Sequence, residues 1–107
     1  MSKSFVLCLT TVNSSKKAEK MAAFLVKKRL AACVSVVPGL TSFYHWKKKF
    51  CREKEVLLFI KTKKTMVLRL ERELLKIHPY ELPEFVVLPI SGGFKKYFSW
   101  ISESLTK

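Results

Sequence analysis

Two short runs, FVLCLTTV at Phe5 to Val12 and EVLLFIKT at Glu55 to Thr62, are apolar or β-branched at nearly every position. Such a run shows a hydrophobic side chain to both faces of a sheet, so each reads as a strand buried in the sheet interior rather than an edge facing water. Each run leads into a helical pattern. After the first, Asn13, Ser14 and Ser15 offer N-cap oxygens, and Ala18, Met21, Ala22, Leu25 and Val26 recur on one face opposite Lys16, Lys17, Lys20, Lys27 and Lys28. This helix is expected to end near Leu30. After the second run, Thr65 can cap a helix carrying Val67, Leu70, Leu74 and Ile77, which closes at His78 because Pro79 disfavours a helical residue before it.

The remaining strands are less regular. CVSVV resumes strand character at Cys33, Pro38 and Gly39 interrupt it, and TSFYHW continues to Trp46, which predicts an edge strand with a bulge or bend. The basic stretch KKKFCREK is expected to be the hairpin connection into EVLLFIKT. EFVVLPI at Glu84 to Ile90 is the fourth strand. Gly92 and Gly93 then turn the chain into a short helix from about Lys95 to Leu105, with Phe98, Ile101 and Leu105 as its stripe and Tyr97 and Trp100 alongside. The order predicts an α+β fold, a ferredoxin-like βαββαβ antiparallel sheet with helices on one face plus a short C-terminal helix. Strands apolar on both sides would leave the other sheet face bare, so subunits are expected to cover each other.

At 107 residues the chain is a single domain over 1–107. Cys8, Cys33 and Cys51 are odd in number and scattered, without CxxC or zinc-finger spacing, which fits a reducing, cytoplasmic setting. No apolar stretch approaches the ~20 residues a membrane span needs, and no signal peptide is read at the start. Charge is the outlier: 21 Lys plus Arg against 8 Asp plus Glu leave a net +13. Such a field draws nucleic acid or acidic partners, although a solvated basic surface gives the same composition.

Chemistry-bearing residues are few. An RNA recognition motif would carry an aromatic-rich octamer on the third strand, but EVLLFIKT has only Phe59. Soft-metal CxxC loops, glycine-rich cofactor loops and a nucleophile with its base are not found, so no enzyme is read here. HPYELPE, His78 to Glu84, concentrates an imidazole, a phenol and two carboxylates between two prolines. It is either a stiff connection or a site in which His78, Glu81 and Glu84 ligate a metal. Tyr44 and Trp46 share a strand face, opposite to His45, and fit a subunit contact or ligand stacking. Cys33 is either a buried small hydrophobe or a thiol ligand.

Together these segments, LAACV at Leu30 to Val34, TSFYHW, EVLLFIKT and HPYELPE, followed by Tyr97 and Trp100, resemble the CutA family of divalent cation tolerance proteins from about Val6 to Ile101. The resemblance implies a ferredoxin-like homotrimer akin to the PII signalling proteins, non-enzymatic, with a role in binding divalent metal, copper foremost. It maps the family's histidine onto His78 and the LAAC cysteine onto Cys33, and it places Tyr44, Trp46 and Trp100 at subunit contacts. Copper-linked members carry a further cysteine and histidine where this chain has Thr10 and Ile77, and the usually acidic hairpin tip is basic here. The expectation is weak binding of a divalent cation through His78 with Glu81 or Glu84. The alternative is a PII-like module that holds an anion, nucleotide or acidic partner through Lys47, Lys48, Lys49 and Arg52.

Overall fold

The structure, a computed structural model, describes residues 4–106. The ends of the single domain read over 1–107 thus lie outside the described residues. The elements are β1 (Phe5–Val12), α1 (Ser15–Lys27), β2 (Cys33–Trp46), β3 (Lys49–Lys63), a 3₁₀ turn (Lys64–Met66), α2 (Val67–Ile77), β4 (Val86–Pro89) and α3 (Lys95–Leu105). They form one sheet in the order β2-β3-β1-β4, antiparallel at every pairing. This is the expected ferredoxin-like α+β arrangement.

Alternation along the strands builds the core. Val6, Cys8 and Val12 of β1 meet Val56, Leu58 and Ile60 of β3 on one face, and α1 and α2 close it with Ala18, Met21, Leu25, Leu70 and Leu74. Each of the leucines in this cluster is at most 1% exposed, and full burial of such a side chain contributes about 1.5–3 kcal/mol. Ser14 caps α1, accepting the Lys17 N–H at 3.1 Å. The helix stops at Lys27, short of the expected end near Leu30, and Arg29 at φ 60 redirects the chain toward β2.

The opposite face carries Leu7, Leu9, Leu57 and Phe59, each only partly covered. The C-terminal helix covers one end of it, where Phe5, Ala32 and Ile101 form a second small core with Phe98 and Leu105. Phe5 and Phe98 stack with ring centroids 4.9 Å apart.

Three further boundaries differ from the sequence reading. Thr65 does not cap α2; it falls inside the 3₁₀ turn, and α2 begins at Val67 with no side-chain cap. The fourth strand is only Val86–Pro89, so Glu84 stays in the loop. KKKFCREK is not a connection either: β3 starts at Lys49 and pairs in register from Trp46↔Lys49 to Leu40↔Glu55. The turn shrinks to Lys47 and Lys48, both at positive φ as a tight two-residue hairpin requires. The bulge expected at Pro38 and Gly39 is present as a register shift between Val37 and Leu40, with Gly39 at φ +88. Beyond it the hairpin runs on as a two-stranded ribbon, stretching the molecule to 44 × 25 × 23 Å.

Candidate functional site

The loop after α2 is fastened to the sheet by its first residues. Pro79 takes His78 out of the helix, to φ −75 and ψ 132, while its N–H still bonds Leu74 O at 2.9 Å. The imidazole then reaches β1. Nδ1 accepts the Tyr80 backbone N–H at 3.2 Å, and Nε2 lies 3.0 Å from Thr11 O. A neutral imidazole has one donor and one acceptor, so an accepting Nδ1 places the proton on Nε2, which donates to Thr11. Burial lowers the His78 pKa from its usual 6.5, opposed in part by the Thr11 carbonyl and by Glu55. Both ring nitrogens of His78 are therefore occupied by the fold.

Tyr80 continues the fastening. Its ring packs edge-on against His78, centroids 4.9 Å apart, and its hydroxyl donates to Glu55 Oε2 at 2.5 Å. Burial first, and then the bond to Glu55, push the phenol well above its ordinary pKa, so it stays a donor. Glu55 is only 7% exposed. Thr11 Oγ1 donates to Glu84 Oε1 at 3.5 Å, which places a second carboxylate beside the end of β1.

These groups border an open concavity of about 450 Å³ at the base of the hairpin, lined in part by Tyr44, Trp46, Glu53, Glu55, Tyr80, Glu81 and Glu84. Cross-strand pairing explains the grouping. Ser42 faces Glu53, Tyr44 faces Cys51 and Trp46 faces Lys49, so Tyr44, Trp46, Lys49, Glu53 and Glu55 project from one side of the ribbon. The other side carries Phe43, His45, Phe50 and Arg52, with the Arg52 guanidinium 5.8 Å from the Phe43 ring centroid. Four of the chain's eight acidic side chains line the concavity. At its rim Lys47 Nζ lies 3.6 Å from Glu81 Oε1 and 5.5 Å from the Trp46 ring centroid.

The structure brings Glu81 and Glu84 together with Glu53 and Glu55, which had not been singled out as site residues. Their signal was the alternation of Glu53 and Glu55 opposite TSFYHW, hidden within a stretch read as a basic loop. Cys33 is elsewhere. It pairs with Lys61, while the Thr11 row pairs with Leu57, a separation of four residues or about 13 Å along β3. Its Sγ lies 3.9 Å from Lys61 Nζ. Lys47 points to a carboxylate, whereas Lys48 and Lys49 are exposed around the turn. Trp100 stacks on Tyr97 at 5.5 Å and remains 43% exposed. Among the described residues, no three His, Cys, Asp or Glu side chains gather closely enough to form a ready metal centre.

The chain is thus a small ferredoxin-like α+β protein with an acidic, aromatic-walled concavity and a partly bare sheet face. Comparison with known proteins narrows the class. The family model described as CutA1 divalent ion tolerance protein matches residues 6–104. A divalent-cation tolerance protein CutA of Thermus thermophilus is 43% identical over 96 residues, covering 90% of this chain and 93% of the relative. The solved structure of the Thermus thermophilus divalent cation tolerance protein superposes with a TM-score of 0.90 at 41% identity, over 94% of this chain and 97% of the other. That of CutA from Xylella fastidiosa gives 0.93 at 35% identity, over 96% and 99%. The chain belongs to the CutA1 divalent ion tolerance family.

Proposed function

We propose that this protein acts as a non-enzymatic homotrimer in tolerance of divalent cations, binding them weakly at the concavity under the hairpin. The observation that carries the reading is the sorting of charge: on a chain of net +13, half of the acidic side chains line this one depression. Oxygen donors without a compact ligand set fit a hydrated or loosely held divalent ion. Thiolate-rich copper coordination is not favoured within one subunit, because Cys33 lies about 13 Å along the sheet from this end. His78 joins the coordination sphere only by giving up its bond to Tyr80 or Thr11.

The trimer rests on the bare face. Leu7, Leu9, Leu57 and Phe59 are partly covered, and Val86, Leu88, Phe94, Tyr97 and Trp100 are exposed around them, a patch of the kind that subunits bury. Among the described residues no helix is long and apolar enough to cross a membrane; a cytoplasmic site of action is proposed from the odd number and scattered spacing of Cys8, Cys33 and Cys51.

Calorimetric titration of metal-free protein with copper and zinc tests the cation reading. Binding is expected to weaken in Glu53→Gln and Glu84→Gln and to survive in His78→Asn; binding lost only in His78→Asn would assign the ion to the imidazole instead. Light scattering tests the trimer, and a monomer at micromolar concentration would overturn it.

A further inference from the structure

The concavity offers more room and more varied walls than a metal ion alone would use. Its volume of about 450 Å³ lies in the range of small-molecule sites and is many times the ~30 Å³ share of one water. Its walls include the rings of Tyr44, Trp46 and Tyr80 as well as carboxylates. A hydrated metal ion would use the carboxylates and gain little from the aromatic faces. They suit a cation with an aliphatic stem, which gains apolar contact along its methylenes and ring-quadrupole attraction at its charged end.

Two further observations point to such a cation. First, the chain already places one there. The Lys47 ammonium sits at the rim 5.5 Å from the Trp46 ring centroid and 3.6 Å from Glu81 Oε1, held by a turn in which Lys47 itself is at φ 50. Second, the inner carboxylates lack a counter-charge. Among the described residues no Lys or Arg nitrogen pairs with Glu53, Glu55 or Glu84, on a chain with 21 such residues. Glu55 is more than nine-tenths buried and lines the depression. Its one hydrogen bond is from the neutral Tyr80 hydroxyl to Oε2, so Oε1 is without a partner among the described residues. Oε1 is not sealed from solvent but opens onto the depression that Glu55 lines, where it can accept a further partner.

We propose that the concavity binds a linear polyamine, one ammonium taking the rim position between Trp46 and Glu81 that Lys47 holds, and a second reaching Glu53 and Glu55. Lys47 is then an internal competitor that the ligand displaces. The inference rests on the concavity being the cation site of this protein, and it assigns the class of cation.

The test is calorimetric titration of the full chain with spermidine in the presence of a metal chelator, so that a failure of metal binding cannot be mistaken for a failure of this inference. Saturable binding of one spermidine per chain is expected, weakened about tenfold or more by Glu53→Gln combined with Glu81→Gln, since the loss of two partial charge pairs falls in that range. Lys47→Ala is expected to tighten binding about threefold. Lys20→Ala, which removes the same charge from the exposed side of α1, controls for net charge and leaves the affinity unchanged. A monovalent salt at matched ionic strength measures screening alone. Absence of saturation, equal displacement by that salt, or Lys47→Ala behaving like Lys20→Ala overturns the proposal. If magnesium alone produces the same saturable, Glu53-dependent signal with no preference for spermidine, the aliphatic-cation assignment is overturned and the metal reading stands.

Discussion

Replacing Tyr80 by Phe removes one oxygen and nothing else from the loop that closes the site. The hydroxyl donates to Glu55 Oε2 at 2.5 Å, and Glu55 is 7% exposed, so its loss strands a buried carboxylate oxygen. Hydrogen bonds to charged groups contribute about 1.5–3 kcal/mol, and leaving the acceptor unsatisfied incurs its desolvation as well. Tyr80 is itself half-buried and water can reach its side of the pair, which places the expected loss near the lower bound, about 1.5–2 kcal/mol. The assay is urea unfolding at one fixed protomer concentration, because subunit association makes the midpoint depend on concentration. Glu55→Gln and the double variant complete a cycle. A coupling of about 1 kcal/mol or more is expected between positions that share a hydrogen bond. A Tyr80→Phe variant within about 0.5 kcal/mol of the parent, or strictly additive effects, would show that the loop is held by its prolines and packing alone.

His78 makes stability depend on pH with a definite sign. Its folded-state pKa is lowered from 6.5 by burial, so on acidification the unfolded chain takes the proton first; stability is full above about pH 6.5 and declines as pH falls toward the folded value. Urea midpoints between pH 7.5 and 5 should show this slope, and His78→Gln should flatten it. Cys8 is fully buried, and burial with a smaller contribution from Glu71 pushes its thiol up to about 11; a maleimide read by mass spectrometry should label Cys51 in the native protein and Cys8 only after denaturation. A Cβ at Gly93 would stand 2.8 Å from two ring carbons of Phe98, whose ring is pinned by Phe5. Gly93→Ala is therefore expected to cost about 1–3 kcal/mol in thermal unfolding, whereas Gly92→Ala, with open space around it, is expected to change stability little.

The parts of the fold that could be read in advance are those in which one residue property repeats. FVLCLTTV and EVLLFIKT are apolar or β-branched at nearly every position, and both are inner strands of the sheet. Ala18, Met21 and Leu25 recur at helical spacing and all are buried in α1. Pro38 and Gly39 carry their own geometry and mark the bulge. The boundaries that moved are those where solvent hides the pattern. Lys49 to Lys54 look like a loop because both sides of the ribbon are wet, and a strand facing water on both sides shows no apolar alternation. Thr65 resembles a cap, but the 3₁₀ turn in front of α2 takes that position. The site shows the same division. HPYELPE announces itself by composition, yet the role of His78 depends on Thr11, which is 67 residues away in sequence. Periodicity holds no information about that contact.

Net charge is a poor guide to what this surface attracts, because the hairpin and the loop after α2 gather four carboxylates around one depression. Phe43, His45, Phe50 and Arg52 project from one side of the ribbon, and Tyr44, Trp46, Lys49, Glu53 and Glu55 from the other. At physiological ionic strength the Debye length is about 8 Å, so a cation within the concavity is governed by the carboxylates around it, while basic residues on the far side are largely screened. The basic tip does not contradict a cation site for a second reason. Lys47, at the tip, is paired with Glu81, and an exposed pair of this kind is worth only about 0–1 kcal/mol. It therefore weakens an incoming cation by a modest factor without excluding it. An anion would meet the opposite balance: it would have to draw Lys47 away from Glu81 and then tolerate Glu53, Glu55 and Glu84 beside it. The local arrangement thus favours cations on a protein whose total charge favours anions.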